Sequence, residues 1–519
     1  MSLLKSVATV GGFTMISRIL GFTRDILIAS VLGAGPVSDA FFVAFRIPNM
    51  FRRLVAEGAF TAAFVPLFAR DLEENSKESA LEFAAHALGF LTGFLFLFSA
   101  LFMIFMPVLM QYLAPGFTVD GPRFEMAVTF TRITFPYLTA MAVVALLGGI
   151  LNAFYKFAAM SAAPILLNII LISTLVFQIS NPLWGAGLML SWGVAAAGLA
   201  QVIYLVIASK RACVWPTLRW PKATPKIRRL FRLMIPGLIG AGVLQINILV
   251  GTIIASLLAT GSISYLYYAD RVYQLPLGVI GIAVGTALLP MLSRQLRAGE
   301  SGPANETMNR AIELAMLFTL PAAAALMVIA EPVISVLFEH GQFSATAAQT
   351  TANALIAFAS GLPAYVLTKI YAPGFFARED TTTPVIIGVI AMGINIALSL
   401  LLLNLLAHVG IALATSVAAW MNALTLLLLL KRRGHYTVDS RLRQRVIAIL
   451  VSSIIMAAGL WVTTPFLRPL IDSQTLLLRI IGLGVLISGG GTLYAVAALL
   501  TGAARLPDLK AMLKRRKSA

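Results

Sequence analysis

The feature that most limits what this chain can become is a recurrence of apolar runs of roughly 20 residues, the length of helix that crosses a bilayer core. Only helices and closed barrels satisfy every backbone N–H and C=O in lipid, and runs this long without strict alternation specify helices. Cutting at polar or Gly/Pro breaks gives spans near 3–33, 37–69, 84–112, 124–155, 160–180 and 184–208. A second series lies near 229–259, 263–293, 306–330, 349–376, 382–406, 409–430, 443–465 and 475–501. The expectation is an all-α polytopic membrane protein of about fourteen transmembrane helices, with its shortest turns at 156–160 and 405–409. With 59% apolar and 12% charged residues, no water-soluble fold hides so much apolar surface.

The formal charge of +18 does not point to nucleic acid, because the basic residues are interleaved with the spans. They mark alternate connections: Arg70 and Lys77; Lys156; Lys210, Arg211, Arg219, Lys222, Lys226, Arg228 and Arg229; Arg294 and Arg297; Arg378; and Lys431 through Arg445. The remaining connections are nearly bare, with Arg123 and Arg468 the main exceptions. Cytoplasmic loops retain positive charge, so both termini are expected in the cytoplasm, consistent with Lys5 and with Lys510, Lys514, Arg515, Arg516 and Lys517. The first apolar stretch continues through Arg18 and Arg24 with no small-residue cleavage pattern, and reads as a retained helix rather than a signal peptide. A single cysteine, Cys213, and four histidines without ligand spacing (His86, His340, His408, His435) predict no disulfide, metal or cofactor.

At one constant offset, Ala44 and Arg46 fall on Ala269 and Arg271, and Pro107, Val108 and Gly116 on Pro332, Val333 and Gly341. This weak repeat predicts two parallel six-helix lobes of roughly equal length around a central cationic cavity, plus two C-terminal helices. The expected division is an N-terminal lobe at 1–208, a cytoplasmic amphipathic linker at 209–228, a second lobe at 229–432, and the added helices with a basic tail at 433–519. The linker's WPTLRWPK run is expected to lie flat on the membrane surface.

Ionisable groups inside a membrane are costly unless they meet water, a partner or a ligand. Here they cluster: Arg18, Arg24, Asp25, Asp39, Arg46, Arg52, Arg53 and Glu57 in the first two spans, Asp270 and Arg271 in the eighth. On an ideal helix Asp39, Arg46, Arg53 and Glu57 fall within about 40° of one another, a stripe able to neutralise itself. Arg52 lies about 100° from that stripe, and Arg24 about 100° from the face of Arg18 and Asp25, so these two are expected to be less paired. Arg24, Arg52 and Arg271 are therefore the candidate substrate-binding groups; guanidinium forks match phosphate oxygens, and pyrophosphate fits them. Arg132 and Lys369 are further mid-span cations, each equally suited to capping a neighbouring helix. Glycines 11, 12 and 21, with Pro48, Pro276, Gly278, Gly281, Gly285, Pro363, Pro373 and Gly374, predict mobile or interrupted helices around the cavity.

The stretch GFTRDILIASVLGAGPVSDAFFVAFRIPNMFRRLVAEGAFTAAFVP (21–66) resembles the signature of the MurJ (MviN) family of lipid II flippases, within the multidrug/oligosaccharidyl-lipid/polysaccharide exporter superfamily. The likeness continues through LAPGF (113–117), ITFPY (133–137), ILNAF (150–154), YYADRVYQLPLGVIGIAVGTALLP (267–290) and APGFFARED (372–380), and weakens after about residue 430. The resemblance implies a transporter, not an enzyme, of the bacterial inner membrane. It would flip lipid II, an undecaprenyl-pyrophosphate-linked disaccharide-pentapeptide, by alternating access for peptidoglycan synthesis and cell shape. It also implies cavity roles for Arg18, Arg24, Arg52 and Arg271, with Asp39 as a further dependence, and a lipid-tail groove at the last two helices. Some relatives bind sodium through aspartates of the seventh, eleventh and twelfth spans. Carboxylates are absent here from 229–260 and 382–405, which leaves Asn247 and Asn395 and makes membrane potential the simpler drive.

Two other readings remain. Arginines that grip pyrophosphate do not read sugars, so a flippase for another polyprenyl-pyrophosphate glycan has the same signature. A membrane-embedded lipid-linked glycosyltransferase needs an acid or base in an extracytoplasmic loop, where 331–348 offers only Glu331, Glu339 and His340.

Overall fold

The structure, a computed structural model, describes residues 3–182, 185–217 and 219–504. The side chains of 3–8, 56–57, 239–241, 243–244 and 279–287 lie outside that description, and with them Lys5, Glu57 and the basic tail residues on which the sequence expectations drew. Among the described residues there is helix and no strand. α1 (Leu3–Leu32) is followed by α2 (Pro36–Phe51), a π-helical segment (Arg52–Phe60) and α3 (Thr61–Glu74); then come α4 (Lys77–Ile104), α5 (Met106–Leu113), α6 (Pro122–Thr134), α7 (Tyr137–Ala153), α8 (Phe157–Ser180) and α9 (Ala186–Arg211). α10 (Pro225–Ser256), α11 (Ser262–Arg297), α12 (Ser301–Val328), α13 (Ala330–Phe338), α14 (Ala345–Ala359), α15 (Leu362–Phe376), α16 (Thr382–Arg432), α17 (Ser440–Ile471) and α18 (Leu476–Leu500) complete the order.

Nine helical stretches among the described residues are long and apolar enough to cross a membrane. One of them, α16, is two helices joined at Ala407, whose backbone (φ 47°, ψ −129°) leaves the helical region inside the expected turn. By contrast, α1 runs unbroken through Gly11, Gly12 and Gly21, so glycine does not interrupt it. Gly21 instead faces the Asn168 side chain, where a Cβ would make ordinary contact at 3.6 Å. The expected extracytoplasmic loop 331–348 is also mostly helix, because α13 occupies its first half and Ser344 caps α14 by accepting from the Ala347 N–H.

The chain forms two compact units, Met1–Ser264 with His340–Phe343, and Tyr265–Glu339 with Ser344–Ala519. In the first, α1 pairs with α8, α8 with α9, and α2 with α6, while the π segment, α3 and α4 carry stacked phenylalanines. Phe60 and Phe64 lie 5.1 Å apart, Phe64 and Phe68 5.6 Å, and Phe64 and Phe83 5.6 Å, the first two pairs following from i, i+4 spacing. α10 packs on the π segment and α3 and lies with them in this unit. Gly237 permits the approach: a Cβ there would stand 3.1 Å from the Ala59 Cα. Residues 340–343 join the same unit, with the Gln342 N–H donating to the Ser30 carbonyl at 2.8 Å. Gly33 (φ +64°) and Gly341 (φ +58°) flank that bond, and a Cβ on either would fall within 2.5 Å of a facing carbonyl oxygen.

Between Ala212 and Thr224 the described residues of the linker form no helix; they make an extended strap against α4. Arg219 pairs with Glu82 at 2.8 Å, the Trp220 carbonyl meets His86 Nδ1 at 3.2 Å, and the Trp220 ring is 90% exposed. Lys226 Nζ closes the strap on Asp71 at 2.6 Å. Burial pushes the Asp71 carboxyl up, but hydrogen bonds from Lys226 and Asn75 outweigh it and hold the group below the ordinary carboxylate range.

In the second unit, α12, α15, α16 and α17 enclose a core that includes Met308, Ile312, Ile370, Phe375, Leu430 and Tyr436. α17 is tied to α12 at its start: Tyr436 Oη donates to Asn309 Oδ1 at 2.7 Å, and Arg310 pairs with both Glu313 and Asp439. Outward faces carry Phe94, Phe96, Leu97, Trp461 and Phe466, suited to hydrocarbon.

Candidate functional site

The basic segment after α2 begins with a proline. Pro48 has no N–H to give the Ala44 carbonyl, and Thr134 Oγ1 supplies a bond to that oxygen instead, at 3.3 Å. Four residues on, the chain widens into the π-helix Arg52–Phe60, a rare form frequent at functional sites. Widening breaks the 100° register on which the stripe expectation rested, so Arg53 no longer continues that face; the Glu57 side chain lies outside the described residues. Arg53 is exposed, and Arg52 Nε donates to Asn49 Oδ1 at 2.8 Å.

Arg24 is not the unpaired cation its helical angle implies. Its Nε and Nη2 reach back to Asp25 Oδ1 at 3.1 and 2.7 Å, and its Nη1 donates to Asn168 Oδ1 on α8 at 3.0 Å. Helical-wheel angles treat side chains as radial spokes, whereas an arginine is long enough to fold back over its neighbour. Asn168 Nδ2 also donates to the Ser17 carbonyl at 2.9 Å, so one amide fixes the guanidinium and joins α1 to α8. Arg24 is 11% exposed, while Arg18, two turns earlier, is exposed.

Asp39 is 1% exposed and does not face Arg46 in a stripe. Its Oδ2 accepts from the Gly261 N–H at 2.7 Å; its Oδ1 accepts from the Ser264 N–H at 3.0 Å and the Ser264 hydroxyl at 2.7 Å. Gly261 (φ +95°) makes the turn between α10 and α11, and the carboxylate thereby caps the free N–H groups at the start of α11. Arg123 stands 3.6 Å from Asp39, donates to Thr260 Oγ1 at 2.9 Å and to the Gly116 carbonyl at 3.1 Å, and lies 4.3 Å over the Phe117 ring. Arg46 Nη1 donates to Thr252 Oγ1 on α10 at 2.6 Å.

In the second unit Asp270 accepts from Gln274 one turn along α11, and the Arg271 guanidinium lies 4.6 Å over the Tyr267 ring. Lys369 is exposed on α15. Arg132 caps the end of α4 through the Met103 carbonyl at 2.9 Å, and Asn395 accepts from Ser399 and Thr415 across the Ala407 break. Sequence reasoning missed Asn168, whose signal was an amide in the apolar run PILLNIILIS, and the role of Arg123, whose signal was a basic residue on an otherwise bare connection.

In the first unit the guanidinium groups of Arg24, Arg46, Arg52 and Arg123 are each held by an amide, hydroxyl, ring or carboxylate, and in the second Arg271 lies over a ring; among the described residues no group of three His, Cys, Asp or Glu could hold a metal ion. Guanidinium groups donate hydrogen bonds and match anionic oxygens. The model of the family described as lipid II flippase MurJ matches residues 28–480. A probable lipid II flippase MurJ of Rhizobium meliloti (strain 1021) is 44% identical, over 100% of this chain and 98% of the relative. A lipid II flippase MurJ of Burkholderia cenocepacia is 33% identical over 84% of this chain and 85% of its own length. Among solved structures, a lipid II flippase MurJ in an inward closed conformation aligns with a TM-score of 0.77 at 25% identity, covering 95% of this chain and 98% of that one. An inward-facing multidrug resistance MATE family transporter shares the fold at 14% identity, with a TM-score of 0.68 over 82% of this chain and 97% of that one.

Proposed function

The chain belongs to the MurJ family of lipid II flippases, and we propose that it receives the pyrophosphate of its cargo on the guanidinium groups of Arg18, Arg24, Arg52 and Arg271. It is a multi-pass inner-membrane transporter that flips lipid II for peptidoglycan synthesis, and it is not an enzyme. The observation that carries the assignment is 44% identity maintained over the whole length of the chain.

In the mechanism we favour, about fourteen helices form two lobes that rock about the cargo, with both termini in the cytoplasm. The anionic head group enters from the cytoplasmic leaflet while the lipid tail stays in the bilayer. Arg24 supports this reading because Asp25 and Asn168 hold its fork in one orientation before cargo arrives, which lowers the ordering cost of binding. Arg52 and Arg271 are steadied by an amide and a ring respectively. Asp39 acts differently: a carboxylate so thoroughly buried positions α11 and does not touch cargo. An inside-negative potential favours outward movement of an anionic head group by about 2.3 kcal/mol per charge per 100 mV, and supplies a drive without a bound ion.

The test is rescue of cells depleted of their own lipid II flippase. Arg52→Ala and Arg271→Ala should insert normally and fail to rescue, and lysine at either position should rescue poorly, because it keeps charge but loses the fork. Full rescue by both alanine variants refutes the guanidinium assignment.

A further inference from the structure

Where α13 leads into α14 and α17 turns into α18, the second unit contains a cavity of 460 Å³ lined by Glu331, Ser335, Glu339, Arg468, Asp472 and Arg479 among others. The volume is ample for a small polar head group. The lining mixes signs in an ordered way. Arg479 is 12% exposed and held by the Ser335 carbonyl at 3.0 Å, the Ser335 hydroxyl at 2.7 Å and the Glu339 carbonyl at 3.2 Å, while its Nε is buried without a hydrogen bond. Arg468 is exposed and pairs with Glu331 at 3.5 Å. Glu339 likewise stands 3.5 Å from Arg479, and Asp472 is exposed at the end of α17.

We propose that this cavity binds the head group of an ethanolamine phospholipid, its phosphate on Arg468 and Arg479 and its ammonium among Glu331, Glu339 and Asp472. Position is the first argument. α17 starts with Arg441, Arg443 and Arg445 and ends at Ile471, so the cavity lies at the membrane face opposite that basic start, beside the outward apolar side chains of Phe466 and Leu477. A ligand entering there from the bilayer brings a head group to the polar residues while its chains remain in hydrocarbon. Charge is the second. Three carboxylates against two guanidiniums make the lining net negative, which opposes an anionic glycerol head group; a choline head group has no N–H to give the carboxylates. A primary ammonium joined to a phosphate matches both halves. This site is independent of the cargo-binding arginines.

The probe is native mass spectrometry of the full, delipidated chain with dihexanoyl phosphatidylethanolamine, the matching choline and glycerol lipids, and free phosphoethanolamine. Ethanolamine lipid adducts should dominate, and Arg468→Ala and Asp472→Asn should each reduce them about tenfold, the loss of a charge-assisted hydrogen bond. Asp472→Asn changes one exposed group without altering shape, so its result stands even where the arginine variant folds poorly. Equal retention of the three lipids, parental binding by Asp472→Asn, or free phosphoethanolamine binding as well as the lipid would each overturn the proposal, the last by identifying a soluble zwitterion as the ligand.

Discussion

Replacing Asp39 separates the positioning of a helix from the gripping of cargo. Its two oxygens serve two backbone N–H groups, those of Gly261 and Ser264, and the Ser264 hydroxyl, with Arg123 beside them. Asn can accept at only one oxygen and presents N–H to a donor at the other. One charge-assisted bond is lost, at a cost of about 2 kcal/mol. Ala strands both N–H groups and removes the partner of a half-buried guanidinium, which costs about 4 kcal/mol. At about 2 °C per kcal/mol, the unfolding midpoint of the purified protein should fall by roughly 4 °C for Asp39→Asn and roughly 8 °C for Asp39→Ala. Arg52→Ala, which gives up the bond to Asn49 but strands no buried backbone N–H, should lose flipping with a smaller shift than Asp39→Ala. Differential scanning fluorimetry in detergent beside the rescue assay reads both quantities. If Asp39→Ala melts within a degree of the parent and yet fails to flip, the positioning argument is wrong and the carboxylate acts on cargo.

Asn168→Ala should weaken the α1–α8 pairing by about 1–2 kcal/mol and reduce flipping by releasing Arg24, whereas Asn168→Asp should restore the contact to Arg24; rescue efficiency and midpoint check both. Acid should act through the loop at Asp380. Hydrogen bonds from Thr383, reinforced by Arg433, take its carboxyl from 3.8 to about 2. Because the folded value is the lower one, this contribution is complete above the ordinary value and is lost as the pH falls from 3.8 toward 2. Asp380→Asn should therefore show a smaller drop in midpoint between pH 5 and pH 3 than the parent.

Helical periodicity and the length of apolar runs made the helices legible: α8, expected near 160–180, lies at Phe157–Ser180, and the short turn at 405–409 contains the Ala407 break. What escaped was information that long side chains and distant segments supply. Nothing local in TRD announces that Arg24 folds back onto Asp25, and nothing in the α10 sequence announces that Gly237 lets it settle on Ala59. A periodic wheel also assumes one helical pitch throughout, and the segment from Arg52 to Phe60 does not keep it.

That segment stores length. A π-turn holds one residue more than an α-turn, so its return to α geometry would screw one flank against the other by about 100° and 1.5 Å without unfolding either. Arg52 and Arg53 sit at the very start of this slack, next to Pro48. The neighbouring guanidiniums can thus be re-aimed by exchanging one hydrogen-bond ladder for another, a local winding step in which whole helices need not slide.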